Sequence, residues 1–154
     1  MVVGINGIGF VGYHLWAYLN YKSDVDVIRL SKEPTTHELI QCDVIVHMRE
    51  RNRGDETQLY IDNRESARSL LDKLEDCNHK PKIIYTSSIH EDADNVYGKW
   101  RRDNITMFKE RCNDFKSVKL PNIFGPFCKP NYNSFISTFC DKILKGKDVT
   151  YSTD

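Results

Sequence analysis

The sequence predicts an α/β fold built on a doubly wound parallel sheet of about five strands. Two observations predict it: short apolar segments alternate with amphipathic segments along the chain, and one apolar segment, DVIVH, is a β-branched run typical of buried parallel strands. Parallel neighbours need crossover connections, usually helices, so this alternation favours a parallel sheet. We expect a single domain over residues 1–154 and the strand order 3-2-1-4-5.

The first half of the chain supplies three strands and two helices. MVVGI is followed by a glycine-rich turn and then by FVGYHLWAYLN, which places Val11, Leu15 and Tyr18 at helical spacing. VDVIRL and DVIVH, residues 25–30 and 43–47, are the second and third strands. ESARSLLDKLEDC has the pattern of an amphipathic helix.

The second half continues the alternation. KIIYTSS, residues 82–88, is the fourth strand, and a helical pattern runs from Tyr97 to about residue 113. KSVKLPN is the fifth strand. NSFISTFCDKILKG is the last helix, with Phe135, Phe139 and Ile143 on one face and Gly146 as its predicted end.

Composition and charge argue against several classes of function. The 22 basic and 22 acidic residues balance, whereas a nucleic-acid binder usually carries a basic excess. No apolar run approaches the roughly 20 residues of a membrane span, and the N-terminus lacks a secretion signal, so we expect a cytoplasmic protein. The five cysteines are widely spaced without a CxxC pair, which predicts neither a metal site nor a disulfide framework.

The turn GINGIGFVG, residues 4–12, is the first candidate functional feature. Gly7, Gly9 and Gly12 fit GxGxxG, and Asn6, Gly9 and Gly12 fit the wider GxxGxxG spacing with Asn in the first position. Between a first strand and a first helix, such a turn lets a dinucleotide pyrophosphate approach the helix N-terminus. The alternative is a purely structural turn. The prediction is a Rossmann-type NAD(P) site that includes Asn6, Gly7, Gly9, Phe10, Val11 and Gly12.

The end of the second strand, IRLSK, bears on the choice of dinucleotide. An NAD site commonly has Asp or Glu here to bind the ribose 2′-OH, whereas a basic side chain accommodates a 2′-phosphate. Ser31 and Lys32, with Arg29 nearby, therefore predict NADP rather than NAD. The alternative is a solvated strand end with incidental charges.

The stretch YTSSIHEDADNVYGKWR, residues 85–101, carries the most specific signal. A serine pair ends the fourth strand, and Tyr97 follows nine residues after Ser88 at the start of a helix. This resembles the Ser and YxxxK arrangement of short-chain dehydrogenases/reductases, in their extended, sugar-nucleotide-modifying branch. DVIVH resembles the third-strand motif of that family, Asn63 matches its downstream asparagine, and LPNIFGP resembles its NVYGP-type loop.

The resemblance implies NADP-dependent reduction, or a related epimerase or dehydratase step, on a nucleotide-activated keto sugar such as a UDP-linked 6-deoxy amino sugar. Tyr97 is then the acid that protonates the substrate oxygen, and Arg101 supplies the adjacent positive charge. Ser88 binds the same oxygen, with Thr86 or Ser87 in its place if the register shifts. A polar surface turn is the alternative for the substrate loop. The remaining residues that the resemblance implies are His47 and Asn63 for the cofactor, and Asn122, Lys129, Asn131 and Tyr132 for the substrate.

Three features depart from the family pattern. Arg101 stands at the lysine position of YxxxK, and its planar fork places hydrogen-bond donors differently from an ammonium group. Met48, Arg49 and Glu50 follow His47, where the family usually has small residues along the cofactor cleft. Family members also continue beyond the helix after the fifth strand. That difference predicts a truncated substrate-binding part. The alternatives that would explain it are a fragment, a truncated gene, and a homodimer or partner chain that completes the substrate site. The alternative function is a non-catalytic nucleotide-binding or scaffolding protein of the same fold.

Overall fold

The computed structural model describes residues 1–22, 24–132 and 134–150. They form two compact units, one over Met1–Leu120 and a second that begins at Pro121. All five strands of the described residues lie in the first unit and pair in parallel as one sheet. The predicted α/β class and five-stranded parallel sheet are confirmed.

Strands and helices alternate along the chain. The strands of the described residues are β1 (Val2–Asn6), β2 (Asp26–Leu30), β3 (Val44–His47), β4 (Lys82–Ser88) and β5 (Phe115–Leu120). The helices there are α1 (Phe10–Tyr21), α2 (Thr36–Leu39), α3 (Glu56–Asp76), α4 (Val96–Arg111) and α5 (Phe135–Leu144). The single-turn helix α2 was not predicted. It begins with a capping box formed by Thr35 and Glu38.

The strand order differs from the prediction, which was wrong. The strands lie in the order β2-β1-β3-β4-β5, so β3 is central and lies between β1 and β4. Ile45, Val46 and His47 are all buried, which a central strand allows and an edge strand does not. Asp43, just before β3, links this strand to β1, because its carboxylate accepts a hydrogen bond from the Val2 N–H at 2.7 Å.

Apolar side chains cover both faces of the sheet. The face under α3 and α4 holds the larger cluster, which includes Tyr85 of β4 and Phe108 of α4. The face under α1 holds a smaller cluster around Ile5, against which Ile84 packs. Successive side chains of β4 therefore point to opposite faces, as the pleat of a strand requires. This alternation decides which way each hydroxyl at the end of β4 points.

The second unit contains α5. The Ser134 side chain accepts a hydrogen bond from the Ser137 N–H at 3.3 Å and caps the helix. Gly146 has a φ of +62° and ends the helix as predicted. Among the described residues, no helix combines the length and apolar character that crossing a membrane requires.

Candidate active site and cofactor cleft

The glycine turn lies between β1 and α1, as predicted. Gly7 has a φ of +110°, and a Cβ there would meet the backbone of Arg49. A Cβ at Gly12 would meet the Gly7 carbonyl oxygen. The packing of the protein itself therefore requires these two glycines. Gly9 is exposed, and a Cβ there would meet no atom of the described residues within 4 Å. Glycine at this position fits a backbone that a ligand approaches.

Helix α1 begins without a side-chain cap. In the other four helices of the described residues, a Thr, Asp, Asn or Ser side chain accepts a hydrogen bond from an N–H of the first turn. The N-cap residue of α1 is Gly9, which has no side chain to do this. The first N–H groups of α1, from Phe10 to Gly12, therefore fit the binding of an anion such as a pyrophosphate.

The end of β2 is organised by a carboxylate that the sequence analysis missed. Glu38 accepts hydrogen bonds from the Ser31 N–H at 2.8 Å, the Ser31 hydroxyl at 3.0 Å and the Thr35 N–H at 2.7 Å. The backbone of Thr35, followed by that of Ser31, lowers the pKa of Glu38 to about 2. The predicted contact Ser31 is thus engaged within the protein. Arg29 is engaged as well, because its guanidinium lies 4.7 Å from the ring centroid of Trp16.

A cleft of about 470 Å³ opens between the end of β2, the loop after β3 and helix α3. Lys32, Arg49 and Arg51 bring three cations to its walls. Arg49 pairs with Glu33 at 3.0 Å, and Arg51 pairs with Asp62 at 2.8 Å. Lys32 is exposed, and no carboxylate in the described part of the chain forms an ion pair with it. Lys32 is therefore the most available cation at the predicted 2′-phosphate position.

The structure places the His47 side chain away from this cleft. It is 0% exposed and packs near Tyr85 and Phe108, with ring centroids 6.1 and 5.6 Å away. Neither ring nitrogen has a hydrogen-bond partner among the described residues, and burial, followed by the charge of Arg49, lowers the His47 pKa to about 3. His47 lies beside Tyr85 in the β3–β4 pairing, so the pleat turns both rings toward the core. Only the backbone of His47 remains for a cofactor contact.

The two asparagines predicted to bind the cofactor bind the protein's own backbone. Asn63 is 2% exposed, its Oδ1 accepts the Arg51 N–H at 2.7 Å, and its Nδ2 donates to the Arg51 carbonyl at 2.8 Å. Asn6 is also 2% exposed and donates to the Ser31 carbonyl at 3.3 Å. These amides shape the walls of the cleft and the start of the glycine turn.

Three hydroxyl groups occupy the end of β4, and their hydrogen bonds differ. Thr86 donates to the His47 carbonyl at 3.4 Å, and Ser87 donates to the Glu91 carboxylate at 2.5 Å. Ser88 instead accepts a hydrogen bond from the His90 N–H at 3.2 Å. No acceptor in the described residues takes the Ser88 proton. Among the three candidates, Ser88 alone therefore retains a donor for a substrate oxygen.

Tyr97 lies in the first turn of α4, which begins at Val96 after the loop that follows Ser88. Arg101, one turn further along α4, donates from Nη1 to the Thr86 carbonyl at 3.1 Å. Strand β4 ends at Ser88 and α4 begins at Val96, so Ser88 and Tyr97 lie at the two ends of the loop that joins these elements. Both side chains therefore stand at the carboxyl edge of the sheet.

Arg101 does not lie open to a ligand. It is 4% exposed and forms a two-point pair with Glu50, with Nη2 to Oε2 at 2.7 Å and Nη1 to Oε1 at 3.3 Å. Tyr85 donates its hydroxyl to Glu50 at 2.7 Å. Burial raises the pKa of Glu50, and Arg101 and Tyr85 oppose that rise. Burial lowers the pKa of Arg101, but Glu50, Tyr85 and Tyr97 together outweigh it, and the resulting pKa is raised.

The four predicted substrate residues belong to the second unit. All of them are exposed, and Asn131 has a φ of +56° with its N–H donating to Thr138 at 2.8 Å. Two carboxylates that were not predicted from the sequence, Glu38 and Glu50, lie in the first unit. The capping-box pattern TxxE was a signal for Glu38. No local pattern signals the pairing of Glu50 with Arg101, because the two lie 51 residues apart.

Comparison with protein-family models finds no match. Among curated proteins, the chain is 32% identical over 154 residues to a UDP-2-acetamido-2,6-beta-L-arabino-hexul-4-ose reductase from Pseudomonas aeruginosa, covering 94% of this chain and 41% of the relative. Among solved structures, the capsular polysaccharide assembling protein CapF from Staphylococcus aureus is 31% identical with a TM-score of 0.74. That match covers 98% of this chain and 43% of CapF.

Two more distant structures share the fold. A UDP-N-acetylglucosamine 4-epimerase from Bacillus cereus is 18% identical with a TM-score of 0.79, and the match covers 98% of this chain and 63% of that protein. RMD from Pseudomonas aeruginosa, complexed with NADPH, is 16% identical with a TM-score of 0.74, covering 97% and 64%. The chain spans only about two fifths of its more similar relatives. The chain is similar in sequence and in fold to part of CapF, which supports the predicted membership of the extended short-chain dehydrogenase/reductase family.

Proposed function

We propose that this chain carries the cofactor site and the proton-transfer residues of a reductase acting on a nucleotide-linked keto sugar, with NADPH as cofactor. The observation that carries the proposal is the Ser88 hydroxyl at the end of β4, whose proton has no acceptor in the described residues. Tyr97 lies in the first turn of α4, at the same edge of the sheet. Two hydroxyl groups at one sheet edge suit the binding of a carbonyl oxygen. The relatives named for a UDP-hexulose reductase and for capsule assembly support this substrate class.

The proposed reaction divides its tasks between a few side chains. Ser88 donates a hydrogen bond to the carbonyl oxygen, and Tyr97 delivers a proton to it as negative charge develops. A bound nicotinamide supplies the hydride. The uncapped start of α1, beside Gly9, binds the pyrophosphate. Arg101 does not relay the proton, because a guanidinium does not give up its own proton under ordinary conditions.

The proposed preference for NADPH rests on Lys32. Its ammonium group lies on the wall of the cleft without an ion pair in the described residues, whereas Arg49 and Arg51 each already have a carboxylate partner. A charged hydrogen bond between Lys32 and a 2′-phosphate is stronger than a neutral one to a 2′-OH. The UDP-linked 4-keto, 6-deoxy amino sugar that the family resemblance implied remains the specific substrate proposed.

Calorimetric titration with NADPH and NADH tests the cofactor assignment. We expect NADPH to bind about tenfold or more tightly than NADH, and Lys32→Glu to reverse the order. Lys109→Glu is the matched control: Lys109 is exposed near the end of α4, at the opposite edge of the sheet, so this change should leave both affinities unaltered. Equal affinities of the wild type would contradict the NADPH assignment. Binding without turnover of a UDP-4-keto sugar would contradict the reductase assignment.

A further inference from the structure

Two residues that depart from the family pattern, Glu50 and Arg101, are partners of each other. Glu50 lies in the loop after β3, and Arg101 lies in α4, yet their side chains are only 7% and 5% exposed and form one ion pair. A buried charge is costly unless it is paired and hydrogen-bonded. A carboxylate at position 50 therefore needs a cation beside it, and Arg101 meets it with two hydrogen bonds. The two departures are one coupled feature.

The surrounding groups give this ion pair one geometry. The Thr86 carbonyl accepts a further hydrogen bond from Arg101 Nη1 at 3.1 Å, and the Tyr85 hydroxyl donates to Glu50 Oε1 at 2.7 Å. A planar guanidinium forms this fork with a carboxylate, whereas the compact ammonium of a lysine does not. Arg101 is therefore held at three points, and two of these contacts come from Glu50.

The fixed guanidinium in turn supports the proposed acid. Its Cζ lies 4.5 Å from the ring centroid of Tyr97 and 4.5 Å from that of Trp100. The two rings are 5.4 Å apart in an edge-to-face arrangement. Tyr97 also contributes to the raised pKa of Arg101, so the two groups interact directly. The position of the Tyr97 ring thus depends on a cation that Glu50 holds in place.

We propose that Glu50 is a positioning residue, which holds the Arg101 guanidinium against Tyr97 and so orients the phenol that protonates the substrate. This inference rests on the proposed function in assigning the acid to Tyr97. Glu50 also lines the wall of the cleft, but this role needs no contact between Glu50 and a substrate or cofactor. It acts through Arg101, so the loss of either residue removes the same support from Tyr97.

The first test needs no activity. In a Trp16→Phe background, Trp100 is the sole tryptophan and reports on the stacked cluster. We expect Glu50→Gln to weaken the near-ultraviolet circular dichroism of Trp100 while the far-ultraviolet spectrum stays unchanged. Glu75→Gln is the matched control, because Glu75 forms the same two-point pair with Arg111 at the surface. An unchanged Trp100 signal in Glu50→Gln would overturn the inference.

The second test is a double-mutant cycle on turnover of a UDP-4-keto sugar with NADPH. Glu50→Gln and Arg101→Lys should each lower kcat by roughly 10- to 100-fold with little change in KM, because a slightly misplaced acid slows only the chemical step. The double variant should be no slower than the slower single variant, since one residue acts through the other. Losses that multiply, or a kcat that Glu50→Gln leaves unchanged, would overturn the positioning role.

The two tests separate this inference from the proposed function. A wild type that neither binds NADPH nor turns over the sugar refutes the proposed function, and the Trp100 signal still decides whether Glu50 orients the cluster. Arg111→Lys, the surface counterpart of Arg101→Lys, should leave kcat and the Trp100 signal unchanged. A fall in kcat for Arg111→Lys equal to that for Arg101→Lys would count against the inference.

Discussion

The glycine turn and the Arg101 cluster lie at the same edge of the sheet and are built in opposite ways. The Arg101 cluster is formed by Glu50, Tyr85, Tyr97, Trp100 and Arg101. The turn consists of backbone, and Gly9 is exposed without a protein atom near its missing Cβ in the described residues. The cluster consists of side chains that bond one another and are almost entirely buried. The turn keeps the family pattern, whereas the cluster departs from it twice. A backbone that a ligand approaches accepts little besides glycine, but an ion pair can be exchanged as a unit.

Replacing the acid should give the largest effect and tests the function of the closed cluster. We expect Tyr97→Phe to lower turnover by roughly 10²- to 10⁴-fold, the range that general acid catalysis contributes, because only the proton donor is lost. Cofactor affinity should stay within about twofold of the wild type, because the glycine turn is untouched. Steady-state kinetics with calorimetry measures both. Turnover that persists in Tyr97→Phe would assign the acid to another residue.

Replacing the serines at the end of β4 should give the next largest effect on turnover. The comparison tests which hydroxyl beside the cluster contacts the substrate oxygen. Ser88→Ala should lower turnover by an amount equivalent to about 2–4 kcal/mol, because it removes a donor to the developing oxyanion. Ser87→Ala is the control, since the Ser87 hydroxyl already donates to Glu91. The same kinetic assay compares the two variants. A larger loss for Ser87→Ala would transfer the oxyanion contact to Ser87.

Two glycine substitutions test whether the turn is open to a ligand. Gly9→Val should weaken NADPH binding by roughly 10- to 100-fold, because its side chain would stand where the pyrophosphate approaches. The unfolding free energy should change by no more than about 0.5 kcal/mol, because the substituted residue is exposed. Gly12→Ala should show the reverse, a loss of about 1–3 kcal/mol in stability, because its Cβ would meet the Gly7 carbonyl. Titration and chemical denaturation measure the two quantities. Normal NADPH binding by Gly9→Val would make the turn purely structural.

The effect that is smallest at neutral pH concerns His47, the buried neighbour of the cluster. Its pKa is about 3 in the folded protein, lowered by burial from an ordinary value of 6.5. Between pH 6.5 and 3 the unfolded chain binds a proton there and the folded chain does not, so stability is lost as pH falls. This contribution has a slope of up to about 1.4 kcal/mol per pH unit.

Denaturation of the wild type and of His47→Leu across this interval measures the His47 contribution. The raised pKa of Glu50 acts in the opposite sense, because its contribution to stability is lost as pH rises. Its contribution and that of Glu38 are expected to be similar in both proteins and to cancel in their difference. We expect the stability of His47→Leu relative to the wild type to rise steadily as pH falls. A difference that does not vary with pH would show that His47 binds a proton as readily in the folded protein as in the unfolded chain.

The sequence by itself determined the alternating α/β architecture, the glycine turn and the spacing of Ser88 and Tyr97. These features are local: the apolar period of a segment, or a run of glycines, follows from residues that are neighbours along the chain. Strand β4 was predicted with its observed limits, Lys82–Ser88, for this reason. The strand order does not follow from such local features, because the same apolar run in β3 suits several positions in a sheet.

Only the tertiary structure decided how these residues are used. The pleat of β3 turned His47 into the core, and hydrogen bonds left the proton of Ser88, rather than that of Ser87, without an acceptor in the described residues. The fold also brings Glu50 into contact with Arg101, although the two residues are 51 positions apart in the chain. From the sequence alone, Glu50 was interpreted as a large residue in the cofactor cleft and Arg101 as an altered catalytic residue. Burial made them a pair, since neither charge is stable there without the other.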